Sequence, residues 1–307
     1  MYAANRILII GFGDIGERLA KYLRPLIQSR HLQVTALVRK PERAIIARTY
    51  GVVPIVGDLA DRHLLLRIAG LAQIIFHFAP PPNHGLFDSH TRNLLAALSR
   101  QSSKQPWMLP QRLIYISTTG VYGDCGGAAI DETRHIQPAT DRAKRRVDAE
   151  AALTAWGMQS GVAMSVLRAP GIYAKDRLPI ERLKNHTPAL IAADDVYTNH
   201  IHADDLARAA WIAAARGLPN RVYNVVDDTD LKMGDYFDLV ADHYQLPRAP
   251  RLSREALNAN TNAPLSPAML SFMSESRRIG NARLKRELGF QFQYPSVTEF
   301  LTRIDRP

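Results

Sequence analysis

The run Ile10-Gly11-Phe12-Gly13-Asp14-Ile15-Gly16 has the glycine spacing of an anion cradle. Gly11 permits a tight turn, Gly13 lets backbone approach a pyrophosphate, and Gly16 lets a helix pack closely on a strand. Free N–H groups at the start of the helix that follows would face the phosphates. A second group, Val38-Arg39-Lys40-Pro41-Glu42-Arg43, stands where a NAD-preferring site carries an acidic residue for the ribose 2′-hydroxyl. Arg39, with Lys40 and Arg43 close by, suits a 2′-phosphate instead, because a guanidinium donates bidentate, charge-assisted hydrogen bonds. The sequence therefore predicts NADP(H) in preference to NAD(H). Gly57-Asp58-Leu59 adds an aspartate that could accept from an adenine amino group or cap a helix.

Chemistry of this kind needs parallel strands to carry it. Arg6–Ile10, Leu32–Val38, Val52–Val56, Gln73–Phe78, Arg112–Ile116, Ala163–Leu167 and Arg221–Val226 are short, nearly continuous apolar runs, as expected of parallel strands covered on both faces. Amphipathic stretches separate them: Ile15, Leu19 and Leu23 share a helical face, and Thr91–Leu98 and Arg142–Trp156 predict two more helices. The expected fold is α/β, a doubly wound parallel Rossmann sheet with a small, discontinuous C-terminal substrate cap. Residues 1–174 and 201–228 would form the NADP-binding domain. Residues 175–200 and 229–307, with helices at Met233–His243 and Ile279–Leu288, would form the cap over the carboxyl ends of the strands.

Composition excludes several classes. With 307 residues, 46% hydrophobic and 22% charged, the chain is not intrinsically disordered. Its single cysteine, Cys125, rules out a disulfide framework and suits a reducing compartment. No apolar run reaches the roughly 18–20 residues of a membrane span, and no signal-like segment opens the chain, so a cytoplasmic location is expected. Metal-ligand spacing, a Walker A loop and a nucleophile elbow are absent. The net charge of +10 raises nucleic acid as a partner. The basic runs are not interleaved with aromatics, however, so a small anionic ligand is the expectation and nucleic acid is not. A monomer or homodimer is expected.

Taken together, Gly11 to Gly16, Gly57-Asp58-Leu59, His77-Phe78-Ala79, Ile116 to Gly123, Leu167 to Tyr173, Ile201 to Leu206, Val222 to Val225 and Asn281 to Gly289 resemble the extended and atypical short-chain dehydrogenases/reductases, the NAD(P)-dependent epimerase/dehydratase family. The resemblance covers nearly the whole chain. It implies hydride transfer to or from a small, anionic carbonyl or sugar-nucleotide substrate. It also implies a cofactor site that includes Phe12, Asp14, Ile15, Leu59, Phe78, Ala79, Pro80, Ser117, Ala169 and Pro170 beside the glycines. Thr118 falls at the family's substrate-polarising Ser/Thr, or else satisfies strand-end backbone groups. The family's Tyr-x-x-x-Lys pair is replaced by Arg142 and Arg146. Arg146 could hold the nicotinamide ribose, but a guanidinium cannot act as the acid. Tyr122, Tyr173 and His202 are the substitute donors, but each has a structural reading that suits it more readily: Tyr122 and Tyr173 as loop packing that hydrogen-bonds backbone, His202 as the anchor of a turn. The other reading is a non-catalytic NADP(H)-binding sensor.

Overall fold

The computed structural model describes residues 5–102, 109–259 and 272–304. Branched apolar side chains build the centre: Ile7, Leu8, Ile9 and Ile10 are all buried, so β1 (Asn5–Ile10) is covered on both faces. Around it lie β2 (Leu32–Val38), β3 (Val53–Val56), β4 (Ile74–His77) and β5 (Arg112–Thr118). The sheet later takes in β7 (Ala163–Ala169) and β12 (Arg221–Asn224), after the two-residue strand β6 (Ala129–Ile130). The spatial order is β12-β7-β5-β4-β1-β2-β3, parallel throughout. The order reverses between β1 and β4, and a crevice opens there at the carboxyl ends of the strands.

Helices cross over on both faces: α1 (Asp14–Gln28), α2 (Pro41–Thr49), α3 (Arg62–Ile68), α4 (Ser89–Ser102) and α5 (Asp141–Ser160). Each face is sealed by its own apolar cluster, one including Leu19, Leu23 and Ala210, the other Leu65, Leu98 and Leu153. The expected α/β doubly wound sheet is the observed one.

Short pairings organise the rest. β8 (Gly171–Tyr173) pairs with β11 (His200–His202), and between them lie α6 (Ile180–Lys184), β9 (Ala189–Leu190) and β10 (Tyr197–Thr198). After α7 (Ala203–Arg216), α8 (Met233–His243) centres a third apolar cluster that includes Leu183, Phe237, Val240 and Phe300. Most of this cluster comes from the stretches 175–200 and 229–307. Leu284, Leu288 and Phe290 join the sheet's cluster instead, because the helix Ala282–Leu288 packs on α7 and β12. The helix expected from Ile279 also starts later, because Arg278–Ile279 is extended and pairs with β6.

Candidate functional site

The glycine loop is dictated by sterics. Gly11 has φ +91°, and a Cβ there would lie 2.5 Å from the Ala79 backbone nitrogen. At Gly16 a Cβ would meet the Gly11 carbonyl at 2.9 Å. Gly13 differs: its φ is −86°, and a Cβ would meet nothing within 4 Å. The space beside it belongs to a cavity of about 300 Å³ whose lining includes Phe12, Arg39, Asp58, Leu59, Ala79 and Pro80. Backbone laid bare beside a void at a helix N-terminus is what a diphosphate needs. Asp14 and Ile15 do not line this cavity. Ile15 packs on the sheet cluster, and Asp14 turns to two arginines.

The cations after β2 separate into two kinds. Arg39 and Lys40 line the cavity and are exposed, and their side chains make no hydrogen bond or ion pair among the described residues. Arg43 also lines it, but its guanidinium braces the loop. Its Nε donates to the Phe12 carbonyl (2.9 Å), and its Nη2 donates to the Gly13 carbonyl (3.0 Å) and to Glu17 (2.8 Å). The expectation that Arg43 grips a 2′-phosphate is thereby corrected: two of its three nitrogens are already committed. Asp58 accepts from the Ala60 N–H (2.8 Å) and stands 4.0 Å from His90.

At the other end of the crevice, two further cavities, of about 280 and 300 Å³, share Thr119, Pro170, Phe272, Glu275 and Arg277. Thr118 and Arg142 line the second. Thr118 accepts the Gly120 N–H (3.2 Å), so both of its expected roles are compatible: a lone pair caps the 3₁₀ turn Thr119–Tyr122 while the hydroxyl proton stays free. Arg277 and Glu275 are buried and paired (2.7 Å). Sequence reasoning missed this pair because long-range contacts bring it to the cleft: the pairing of Arg278–Ile279 with β6 and hydrogen bonds to Asn199 and Asp124.

Several expected site residues lie elsewhere. The Ser117 hydroxyl donates to buried Glu150, which is ion-paired with Arg168 (2.6 Å). Alternation along β5 turns Ser117 away from the face that Thr118 shows. Tyr122 is 1% exposed. It donates to Asn224 (2.7 Å) and its ring lies under the Arg168 guanidinium, so the turn removes it from the cleft as a proton donor. Arg146 donates to the Tyr115 hydroxyl (2.9 Å) and the Ile116 carbonyl (2.7 Å), so it fastens α5 to β5 and lines neither cavity. Phe78 packs on the sheet cluster and Ala169 is buried, whereas Pro170 does line both of these further cavities.

Tyr173 lines the first of the two, but burial beside Asp227 pushes its hydroxyl well above the ordinary tyrosine range. Burial likewise raises Asp227 to about 7. His202 Nδ1 accepts the Asp204 N–H (3.2 Å) and caps α7, the structural role expected of it. Burial lowers it to about 4. His77 is buried against Thr91 (2.9 Å) and also lowered to about 4.

An ion network joins the two ends. Arg18 reaches Asp14 (2.7 Å), Asp204 (2.7 Å) and Asp176 (3.1 Å). Arg177, which lines the first of the two further cavities, donates to Asp14 (2.7 Å). Burial pushes the Asp14 carboxyl up, but the hydrogen bonds from Arg18 and Arg177 outweigh it and hold the group below its usual value. Among the described residues no cluster of three metal-ligating side chains occurs, and no helix is long and apolar enough to cross a membrane.

Residues 7–225 match the NAD dependent epimerase/dehydratase family. Human dTDP-D-glucose 4,6-dehydratase is 24% identical over 184 residues, covering 55% of this chain and 52% of that protein, and the bovine protein matches equally. The chain thus spans about half the length of the curated relatives it matches. A conserved protein of unknown function from Silicibacter pomeroyi DSS superposes with a TM-score of 0.78 at 28% identity, over 97% of both chains. The dTDP-glucose 4,6-dehydratase of Bacillus anthracis, in complex with NAD, gives 0.75 at 16% identity, over 97% and 94%. The UDP-glucose 4-epimerase of Thermotoga maritima, with UDP-glucose, gives 0.73 at 18%, over 96% of each. The last two likenesses are of fold.

Proposed function

We propose, for a chain that belongs to the NAD dependent epimerase/dehydratase family, that it is an NAD(P)-dependent oxidoreductase or epimerase acting on a small carbonyl or sugar-nucleotide substrate. The observation that carries this reading is the cavity at the glycine loop. Gly13 leaves room there, the head of α1 faces it, and two unpaired cations stand on its wall. The residues fit a dinucleotide: loop N–H groups for the diphosphate, Asp58 at the adenine end, and Arg39 with Lys40 for a 2′-phosphate. That last pair is the basis for preferring NADP(H), since no carboxylate stands at the end of β2 to take a 2′-hydroxyl.

Nicotinamide supplies the hydride when bound. The chain's own residues bind and polarise the substrate. Thr118 donates its hydroxyl proton to a substrate oxygen and so favours charge developing on it. Pro170 and Phe272 give the substrate an apolar wall. The Glu275–Arg277 pair fixes the polar side of the cleft, with Arg277 tied to the Gly123 carbonyl (2.5 Å). A purely cofactor-sensing protein is favoured by one observation, the withdrawal of Tyr122 from the cleft.

Titration of the protein with NADPH and NADH, read by nicotinamide fluorescence, tests the reading. NADPH is expected to bind tighter. Binding of neither below millimolar concentration refutes a dinucleotide site, and tighter NADH refutes the role of Arg39. Oxidation of NADPH by carbonyl compounds should then fall roughly 10²- to 10³-fold in Thr118→Ala. No turnover of any carbonyl or sugar nucleotide leaves the sensor reading standing.

A further inference from the structure

We infer that Arg142 binds a carboxylate carried by the substrate, beside the oxygen that Thr118 addresses. This rests on the substrate cleft assigned above and names what that cleft selects.

Four cations crowd the first turns of α5, and three of them have partners. Lys144 pairs with Asp141 (3.3 Å), Arg145 donates to the Gly85 carbonyl (2.7 Å), and Arg146 is tied to β5. Of the four, only the Arg142 side chain has no hydrogen bond or ion pair among the described residues, and it lines the cavity that also holds Thr118. Partial withdrawal from water, together with the like charges of Arg146 and Arg145, holds its guanidinium below the ordinary arginine range, as expected of a cation that lacks an anion.

The charge on this cavity selects the kind of anion. Glu275 and Arg277 neutralise each other, so among the described residues the lining carries one uncompensated positive charge, that of Arg142. A monoanion matches it, whereas a phosphate dianion would leave excess charge facing Glu275. The planar fork of a guanidinium fits a carboxylate with two parallel hydrogen bonds. A cavity of about 300 Å³ that also contains the Thr118 hydroxyl has room for a carboxylate and a neighbouring carbonyl or hydroxyl. The substrate class is therefore a carboxylate-bearing carbonyl or alcohol, such as a 2-oxo acid, a 2-hydroxy acid or a uronic acid.

Isothermal titration of the protein, with and without saturating NADPH, tests this with the monoanions oxamate and glucuronate and with inorganic phosphate as probes and neutral glucose as control. Oxamate or glucuronate should bind more tightly than phosphate, and glucose should not bind. Arg142→Gln should weaken the carboxylate probes roughly tenfold to a hundredfold, and Arg142→Lys should restore part of that. Arg134→Gln, which removes the same charge from an exposed site, should change nothing. NADPH affinity should stay the same in Arg142→Gln. Carboxylate binding that Arg142→Gln leaves intact, tighter binding of phosphate, or no binding of any carboxylate probe overturns the inference. If NADPH fails to bind, the dinucleotide reading falls, while the titrations without it still decide the role of Arg142.

Discussion

Alanine at Gly11 and alanine at Gly13 should fail in different ways, and the difference tests whether the loop is built for a ligand or only for a turn. At Gly11 the positive φ alone costs an L-residue about 1–2 kcal/mol. The added methyl would lie 2.5 and 2.7 Å from the backbone of Ala79, which cannot swing aside as a side chain would. Overpacking of that kind adds about 1–3 kcal/mol. Gly11→Ala should therefore lose about 2–5 kcal/mol of folding stability. Gly13 is extended and meets nothing within 4 Å. Its replacement trades a slightly poorer N-cap against a stiffer unfolded chain, a net change within about 1 kcal/mol. The methyl would instead stand in the cavity where a diphosphate must lie against the backbone. A clash costing about 1–3 kcal/mol there weakens binding roughly 5- to 150-fold. Urea unfolding and NADPH fluorescence titration on both variants separate the two effects. If Gly13→Ala binds NADPH as tightly as the parent, the void beside Gly13 is not the diphosphate site. If Gly11→Ala unfolds at the parental midpoint, the steric account of the turn is wrong.

Three more outcomes follow from the side chains around this loop and beneath the cleft. Glu150→Ala leaves Arg168 buried without its partner and should cost about 3–5 kcal/mol, while Glu150→Leu combined with Arg168→Met should recover most of it. A urea midpoint for the double variant no higher than that of Glu150→Ala would count against an ion-pair origin. Arg39→Ala should weaken NADPH roughly tenfold to a hundredfold and leave NADH nearly unchanged, whereas Arg43→Ala, which unbraces the loop, should weaken both. Equal losses for the two cofactors in Arg39→Ala would contradict the assignment. Finally, His77, His200 and His202 are buried, with values lowered to about 4, 3 and 4, so the unfolded chain binds more protons than the folded one below about pH 6.5. Asp227, raised to about 7, works in the opposite direction and offsets one of them. Stability should hold near neutrality and fall between about pH 6.5 and 4, by up to about 2–3 kcal/mol per pH unit. A urea midpoint that stays constant from pH 7 to 5 would show that these histidines are not held neutral.

What could be read from the sequence was what local sterics and local periodicity control. The strands were legible because the branched apolar run Ile7–Ile10 has few places to go except between two helical layers. The glycine loop was legible because Gly11 and Gly16 are demanded by backbone contacts within the same strand–turn–helix unit. Errors arose where a side chain's direction is set by a distant partner. Arg43 looked free until its proximity to Phe12 and Gly13 appeared, and Tyr122 looked catalytic until Asn224, a hundred and two residues away, took its hydroxyl. Ser117 is the exception. Strand alternation alone sets it on the opposite face from Thr118, so the sequence already contained that answer. Glu275 and Arg277 gave no such signal. They belong to an irregular stretch whose place depends on a two-residue pairing with β6.

Arg177 is shared property. Part of it walls the substrate-side cavity, while its guanidinium holds Asp14 at the head of the helix that would receive a diphosphate. An anion in the cavity beside that helix would stand near Asp14, which does not line it, and would compete with Asp14 for the same positive charge, so the hold on Arg177 would change with what occupies the loop. The two compartments are consequently not independent vessels. By thermodynamic reciprocity, whatever factor the dinucleotide applies to substrate affinity, the substrate applies equally to the dinucleotide. The order in which the two ligands arrive therefore affects the rates at which each binds but not the final balance, and Asp14→Asn is the change that would let each cavity fill without regard to the other.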